Sequence, residues 1–353
     1  LPSLYNPIEL VFIFFFSLTS LFFLRKVAKK INLVDKPNDR KHHQGAIPLV
    51  GGISICLSVI YFLMNNQDIL LHTELYAVSI VILVAVGALD DKYDISFKIR
   101  FLVQAALSVA MMVLGQIELH TAGNIFGTGV WLLGWFGYVI TIFAVVGAIN
   151  AFNMVDGIDG LLGGLSTVTF SGLGLLMVYY GQNNLAYFCL VLVVVIAPYI
   201  MLNMGVFGQR KKVFMGDAGS MMIGFTVIWL LLLSSQEQQA LMRPVTALWL
   251  IAVPLMDMTA IMIRRVKRGN SPFKPDREHL HHIFQRIGLS SGQTLAIICL
   301  IAAAFSGVGI VGEIYDVPEY IMFYAFILCF ALYLYLLMRV WVLTAKLREW
   351  RSR

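Results

Sequence analysis

The sequence predicts an all-α polytopic membrane protein with about 11 transmembrane helices, and three observations carry that prediction. Hydrophobic residues occupy 59% of the 353 positions and charged residues 13%, with a mean hydropathy of +0.80. A soluble domain is about 45–50% apolar and about 25% charged. The apolar residues form continuous runs of the roughly 20 residues a spanning helix needs, not the alternating segments of about ten residues that build a barrel. The basic residues are confined to alternate connections between the runs. In lipid every backbone polar group must be paired within the protein, so continuous runs imply helices.

In order, the runs lie near 8–24, 48–64, 74–89, 98–117, 135–151, 161–180, 185–202, 218–234, 244–263, 293–313 and 319–340. The first has no basic segment before it and no small-residue cleavage site. The stretch RKVAKK follows it at once, so a retained anchor is expected. The connection from Glu118 to Gly134 is the longest on its side, and its glycines suggest a tight turn or small hairpin. The ninth run contains Pro254 and Asp257, an acidic residue inside a span. Cys56, Cys189, Cys299 and Cys329 all fall within runs, with no CxxC spacing, which predicts structural thiols. There is no long internal repeat and no low-complexity tract, so residues 1–353 read as one integral membrane domain.

Of the 26 Lys and Arg, 25 lie on alternate connections or at the ends facing them, and only Arg243 lies on the other side. The positive-inside bias puts the basic connections and the C-terminus in the cytoplasm and the N-terminus outside. The net charge of +6 follows from this topology and requires no nucleic acid.

The polar clusters sit on the basic side. ALDDKYDIS brings Asp90, Asp91 and Asp94, NAFNMVDGIDGLLGG brings Asn150, Asn153, Asp156 and Asp159, and VFMGDAGS brings Asp217. The second cluster has two carboxylates and two carboxamides with no Lys or Arg, a set of hard oxygen donors suited to Mg²⁺ or Mn²⁺. Its alternative is helix capping by Asp. Gly157, Gly160, Gly163 and Gly164 would let backbone approach a ligand. Of the adjacent Asp90 and Asp91, one suits a base and the other a ligand or orienter; the plainer reading is that both cap and solvate the connection. Asp217 opens a helix whose first amides favour phosphate, and Phe214 could stack on a flat base or simply anchor at the interface.

Two basic segments complete the set. One carries Arg40, Lys41, His42 and His43, of which Lys41 and His43 are substrate-binding candidates. The other carries Arg264, Arg265, Lys267, Arg268, Arg277, His279, His281 and His282. Imidazole and guanidinium groups suit a diphosphate. Zinc is the alternative for HLHH, but no HExxH or CxxC accompanies it, and only His279 and His282 would share a helix face. The absence of GxxxxGK[ST] and of GxSxG argues against P-loop and serine-nucleophile chemistry. Hard-cation ligands facing basic residues at a membrane boundary fit phosphoryl transfer between a nucleotide and a lipid headgroup. A transporter of lipid-linked or nucleotide sugars would place its polar residues near the midplane and show inverted repeats. Here they line one boundary.

With VDKPNDRKHHQGAIPLVGG, GALDD, NAFNMVDGIDGLLGG, VFMGDAGS and SPFKPDREHLHH in this order, the chain resembles the polyprenyl-phosphate N-acetylhexosamine-1-phosphate transferase family over nearly its whole length. The resemblance implies UDP-GlcNAc and undecaprenyl phosphate as substrates and undecaprenyl-diphospho-GlcNAc and UMP as products. It also implies the first membrane step of O-antigen and enterobacterial common antigen lipid intermediates at the bacterial cytoplasmic (inner) membrane, with the N-terminus in the periplasm and the active site facing the cytoplasm. Dependence on Mg²⁺ or Mn²⁺, sensitivity to tunicamycin and a homodimer are further implications. By residue, it makes Asp217 a metal ligand, with Asn153 near the metal and diphosphate. Asp90 becomes the base for the lipid phosphate, with Asp91 beside it, and Asp156 and Asp159 become nucleotide-binding or catalytic carboxylates. Phe214 takes the uracil-stacking position, and Arg265, His279, His281 and His282 grip sugar and diphosphate. The related phospho-MurNAc-pentapeptide transferases, the nearest alternative, carry consecutive histidines, whereas this chain has His279-Leu280-His281-His282, which favours a GlcNAc-type donor and leaves GalNAc or another N-acetylhexosamine open.

Overall fold

Each of the eleven apolar runs is helical in the computed structural model, which describes residues 6–36, 45–236, 241–271 and 279–339. The chain runs α1 (Pro7–Lys30), β1 (Val34–Asp35), β2 (Ile47–Pro48), α2 (Gly51–Asn65), α3 (Thr73–Tyr93) and α4 (Phe97–Gly115). It continues through β3 (Thr121–Gly123), β4 (Trp131–Leu132), α5 (Phe136–Met154), α6 (Leu161–Tyr179) and α7 (Asn183–Asn203). A 3₁₀ turn at Gln209–Lys211 leads to α8 (Gly216–Gln236), α9 (Pro244–Leu250), α10 (Ala252–Lys267), α11 (Leu280–Arg286), α12 (Ser291–Ile314) and α13 (Glu319–Met338). Among the described residues nine helices are long and apolar enough to cross a membrane, making this a multi-pass, all-α membrane protein.

Two runs differ from simple spans. α2 has 15 residues, about 22 Å at 1.5 Å per residue, short of the roughly 30 Å hydrocarbon thickness. The run expected as one span at 244–263 is a pair, α9 and α10, bent by 82° at Ile251. Pro254 explains the break: it has no N–H to donate to the Leu250 carbonyl, and it sits in the first turn of the new helix, where that loss is tolerated. The Leu250 carbonyl instead accepts from Thr169 Oγ1 of α6 at 3.2 Å. A side-chain hydroxyl thereby replaces the missing backbone donor inside the membrane.

α8 is the axis of the bundle. Every residue in it except Asp217 is buried, as expected for a helix apolar on all sides, and α2, α3, α5 and α6 pack around it. Lipid provides no hydrophobic drive between helices, so close approach depends on small residues. A Cβ on Gly52 of α2 would land on the backbone of Gly219, and one on Gly87 of α3 on the backbone of Ala218. Tyr76 and Thr226 add a hydroxyl–hydroxyl bond of 2.7 Å between α3 and α8. Just before α2, Leu49 pairs in parallel with Phe214, while Phe214 and Met215 carbonyls accept from Gly51 and Gly52 N–H at 2.9 and 3.0 Å. β1 and β2 pair antiparallel at the same end.

The opposite end holds the hairpin foreseen between Glu118 and Gly134, with β3 and β4 antiparallel. Gln236 anchors it by accepting from His120 and Thr121 N–H at 2.9 and 3.1 Å. Arg243, the basic residue set apart by charge placement, is accounted for here. Its Nε donates to buried Glu313 at 3.1 Å, and its Nη atoms reach the Val317 and Gly312 carbonyls at 2.6 and 2.7 Å. Tyr180 and Thr246 hydroxyls complete the shell around Glu313. Cys56 and Cys189 are buried free thiols, and Cys299 and Cys329 are partly exposed and also free. Arg243→Met would leave Glu313 buried without its cation, so thermal unfolding in detergent should show a loss of about 3 kcal/mol. Arg243→Met combined with Glu313→Gln should recover most of it.

Candidate active site

The carboxylates converge because three helices end at one level. Asp90 and Asp91 occupy the last turn of α3, Asn150 and Asn153 the last turns of α5, and Asp217 the first turn of α8. Consecutive helical residues point about 100° apart, which gives Asp90 and Asp91 different partners. Asp91 caps α8: its carboxylate accepts from the Asp217 and Ala218 amides at 2.9 and 3.4 Å. Those amides, expected to be available to phosphate, are therefore taken. Gly216, at φ +73, allows the turn, and a Cβ there would strike the Asp91 carboxylate.

Asp90, 8% exposed, faces Asp217 across a single cationic atom. Arg100 Nη1, from α4, lies 2.5 Å from Asp90 Oδ2 and 2.6 Å from Asp217 Oδ2. Asn153 Nδ2 holds the other Asp217 oxygen at 2.8 Å and reaches Ser220 Oγ at 2.8 Å. Asn150 points away from this point, to Gln104 Oε1 at 2.9 Å between α5 and α4. Sequence reasoning missed Arg100, which was absorbed into the basic-side count. Its signal was the DD pair ten residues earlier, one connection away.

The loop from Val155 to Gly160 lies beside this centre. Asp156 keeps solvent access, yet the surrounding walls, then the charges of Asp217 and Asp159, push its carboxyl up to about 7. Asp159 is paired with Lys212. Gly160, at φ +78, donates its N–H to Asn203 Oδ1 at 2.5 Å, and Asn203 Nδ2 donates to the Val213 carbonyl at 2.9 Å. The loop is thus tied to the segment bearing Phe214, which is partly exposed three residues before Asp217. Gly163 and Gly164 lie in the first turn of α6 and face protein: a Cβ on Gly163 would meet Ile200 and one on Gly164 Cys299. Their use is helix packing, a correction to the ligand approach expected for them.

The histidine segment closes over the same loop. A Cβ on Gly157 would overlap the His281 imidazole. His281 is 3% exposed, and its buried Nε2 has no hydrogen-bond partner. Burial, then His282 and His279, push it down to about 3, so it is neutral at any physiological pH. His279 is the residue before α11, and its ring lies parallel to that of His281 at 5.8 Å between centroids. His281, which the helical period was expected to point elsewhere, thus lies against His279. Arg265 is buried in the last turns of α10. Lys41 and His43 lie outside the described residues.

No three His, Cys, Asp or Glu side chains gather as metal ligands among the described residues. The donors that do converge suit a hard cation that keeps part of its shell for phosphate and water. Asp90 and Asp217 aim one oxygen each at a common positive atom, with an amide beside them. Mg²⁺ is commonly held by one or two carboxylates plus substrate phosphates.

Asp156 holds its proton to higher pH in the folded protein than at the about 3.9 of an unfolded chain. Between those values the folded state binds more protons, so this group makes stability fall as pH rises. In metal-free detergent solution, Asp156→Asn should flatten that fall and gain most over the wild type above pH 7. Parallel pH profiles would contradict the placement.

Comparison with known proteins gives a consistent answer. The sequence model described as Glycosyl transferase family 4 matches residues 73–235, from the start of α3 nearly to the end of α8. The chain is 52% identical to the undecaprenyl-phosphate alpha-N-acetylglucosaminyl 1-phosphate transferase of Salmonella typhi, over 98% of this chain and 94% of that protein. It is 51% identical to the protein of the same name from Escherichia coli (strain K12), over 98% and 94%. The Haemophilus influenzae protein of that name is 49% identical over 95% and 94%. The chain belongs to the family of these undecaprenyl-phosphate N-acetylglucosaminyl 1-phosphate transferases, within glycosyl transferase family 4.

Proposed function

We propose that this protein transfers N-acetylglucosamine 1-phosphate from UDP-GlcNAc to undecaprenyl phosphate, releasing UMP at the cytoplasmic face of a bacterial inner membrane. The observation that carries the reading is the convergence of Asp90 and Asp217 on one cationic atom where three membrane helices end. The names of relatives about half identical over nearly the full chain supply the substrates.

In this reading Asp217, oriented by Asn153, would hold Mg²⁺ or the equally hard Mn²⁺. Bound there, the metal would supply charge neutralisation to the diphosphate oxygens. Asp90 keeps the lipid phosphate ionised, a modest demand because a phosphate monoester's second pKa is about 6. A lipid phosphate oxygen then attacks the β-phosphorus, the bond to the α-phosphate oxygen breaks, and UMP carries away that electron pair. Asp91 holds the start of α8 in register for this geometry. Arg100 offsets the two carboxylates in the free protein and is placed to donate to a phosphate oxygen once substrates enter. Phe214 stacks on uracil, Asp156 and Asp159 order the nucleotide side, and Arg265, His279, His281 and His282 hold sugar and diphosphate.

Purified protein with UDP-GlcNAc, a polyprenyl phosphate and Mg²⁺ should release UMP only when all three are present, and EDTA should abolish release. Asp217→Asn should lower kcat by at least about 100-fold, the scale of a lost charge-stabilising group. UMP release without lipid acceptor, or none from folded wild-type protein with any UDP-N-acetylhexosamine, would overturn the proposal.

A further inference from the structure

Asp257 is a carboxylate in the bent span, 2% exposed, where a charge is expensive unless partnered. It has three donors. His279 Nδ1 lies 2.8 Å from its Oδ2, while Leu280 N–H and the Tyr333 hydroxyl of α13 donate to its Oδ1 at 3.1 and 2.6 Å. One carboxylate thus joins α10, the start of α11 and α13. If Asp257 were only a latch for α11, the backbone bond to Leu280 and the Tyr333 bond would serve. The imidazole bond does something more. A carboxylate at Nδ1 keeps a hydrogen on that nitrogen and fixes the plane of the ring, leaving Nε2 as the nitrogen available to another group. The ring so fixed is parallel to His281 within 3°, and His281 rests on Gly157 beside Asp156. The orientation set at Asp257 is therefore passed to the loop next to the carboxylate centre.

We propose that Asp257, braced by Tyr333, is a positioning residue that sets the tautomer and ring plane of His279, so that His279 presents Nε2 to the sugar-phosphate end of the UDP-sugar. This rests on the transferase reading given above. Asp257→Asn is the informative change. The amide still accepts from Leu280 N–H, but its NH₂ donates to Nδ1 and moves the ring hydrogen to Nε2. The same substitution beside a catalytic histidine in serine proteases produces the wrong tautomer.

The experiment has two arms. Nitrogen-15 NMR of histidine-labelled protein in detergent, with His279→Gln used to assign the resonance, should show Nδ1–H for His279 in the wild type and Nε2–H in Asp257→Asn. This arm requires no turnover and judges the proposal even if the wild type releases no UMP. In the activity arm, Asp257→Asn should raise KM for UDP-GlcNAc at least ten-fold while KM for the polyprenyl phosphate changes less than two-fold. In a His279→Gln background, Asp257→Asn should cause less than a two-fold further loss. Tyr333→Phe, which keeps the packing, should give a smaller loss of the same kind. An unchanged His279 tautomer, a loss that multiplies in the His279→Gln background, or equal effects on both substrates would reduce Asp257 to a structural latch and overturn the proposal.

Discussion

The site depends on backbone contact between the first turn of α8 and the small residues of α2 and α3. Gly52 and Gly87 let Gly219 and Ala218 approach closer than any side chain would permit. At that separation Asp91 reaches the α8 amides, and Asp90, one residue earlier, is turned toward Asp217. The glycines of VGG, GALDD and GDAGS thus form a packing code whose result is chemical: three motifs far apart in sequence meet at fixed distances. In lipid, where apolar contact provides little drive, such a fit must come from backbone proximity and from bonds such as Tyr76–Thr226.

Around that fit, charge is arranged by division of labour. Asp91 is committed to a helix start, Asp159 to Lys212, and Asp257 to His279 and Tyr333. Asp90 and Asp217 share Arg100, and Asp156 is left open and hard to ionise. Carboxylates that look equivalent in sequence differ in what they remain free to do. Asp91 and Asp257 spend both oxygens on protein donors, whereas Asp90 and Asp217 each meet Arg100 and Asp156 is exposed.

Much of this was legible in the sequence. Spans are local and continuous, so every run appears as a helix, and the hairpin after Glu118 follows from its glycines. Asp90, Asn153 and Asp217 could be grouped because each sits where a run meets polar sequence on the basic side. The 82° break was less legible: Pro254 was visible, but its effect depended on Thr169 being at hand in another helix. Arg100 was hidden by its company, since a lone Arg among topological cations has no distinguishing mark until an acidic pair is seen against it. The partners of Asp257 were also out of reach. Their separations of 22 and 76 residues follow no helical period, and only tertiary packing brings them together.

The bond from Thr169 to the Leu250 carbonyl has a mechanical consequence. α6 begins where the Asp156–Gly160 loop ends, and Thr169 lies within its first half. The half-helix that it braces leads into α10, which carries Asp257 and, through it, the ring of His279. The two loops that touch at Gly157 and His281 therefore hang from a common strut inside the bilayer. A shift of either one is therefore resisted twice, at their direct contact and through the Thr169–Leu250 bond between the helices that carry them.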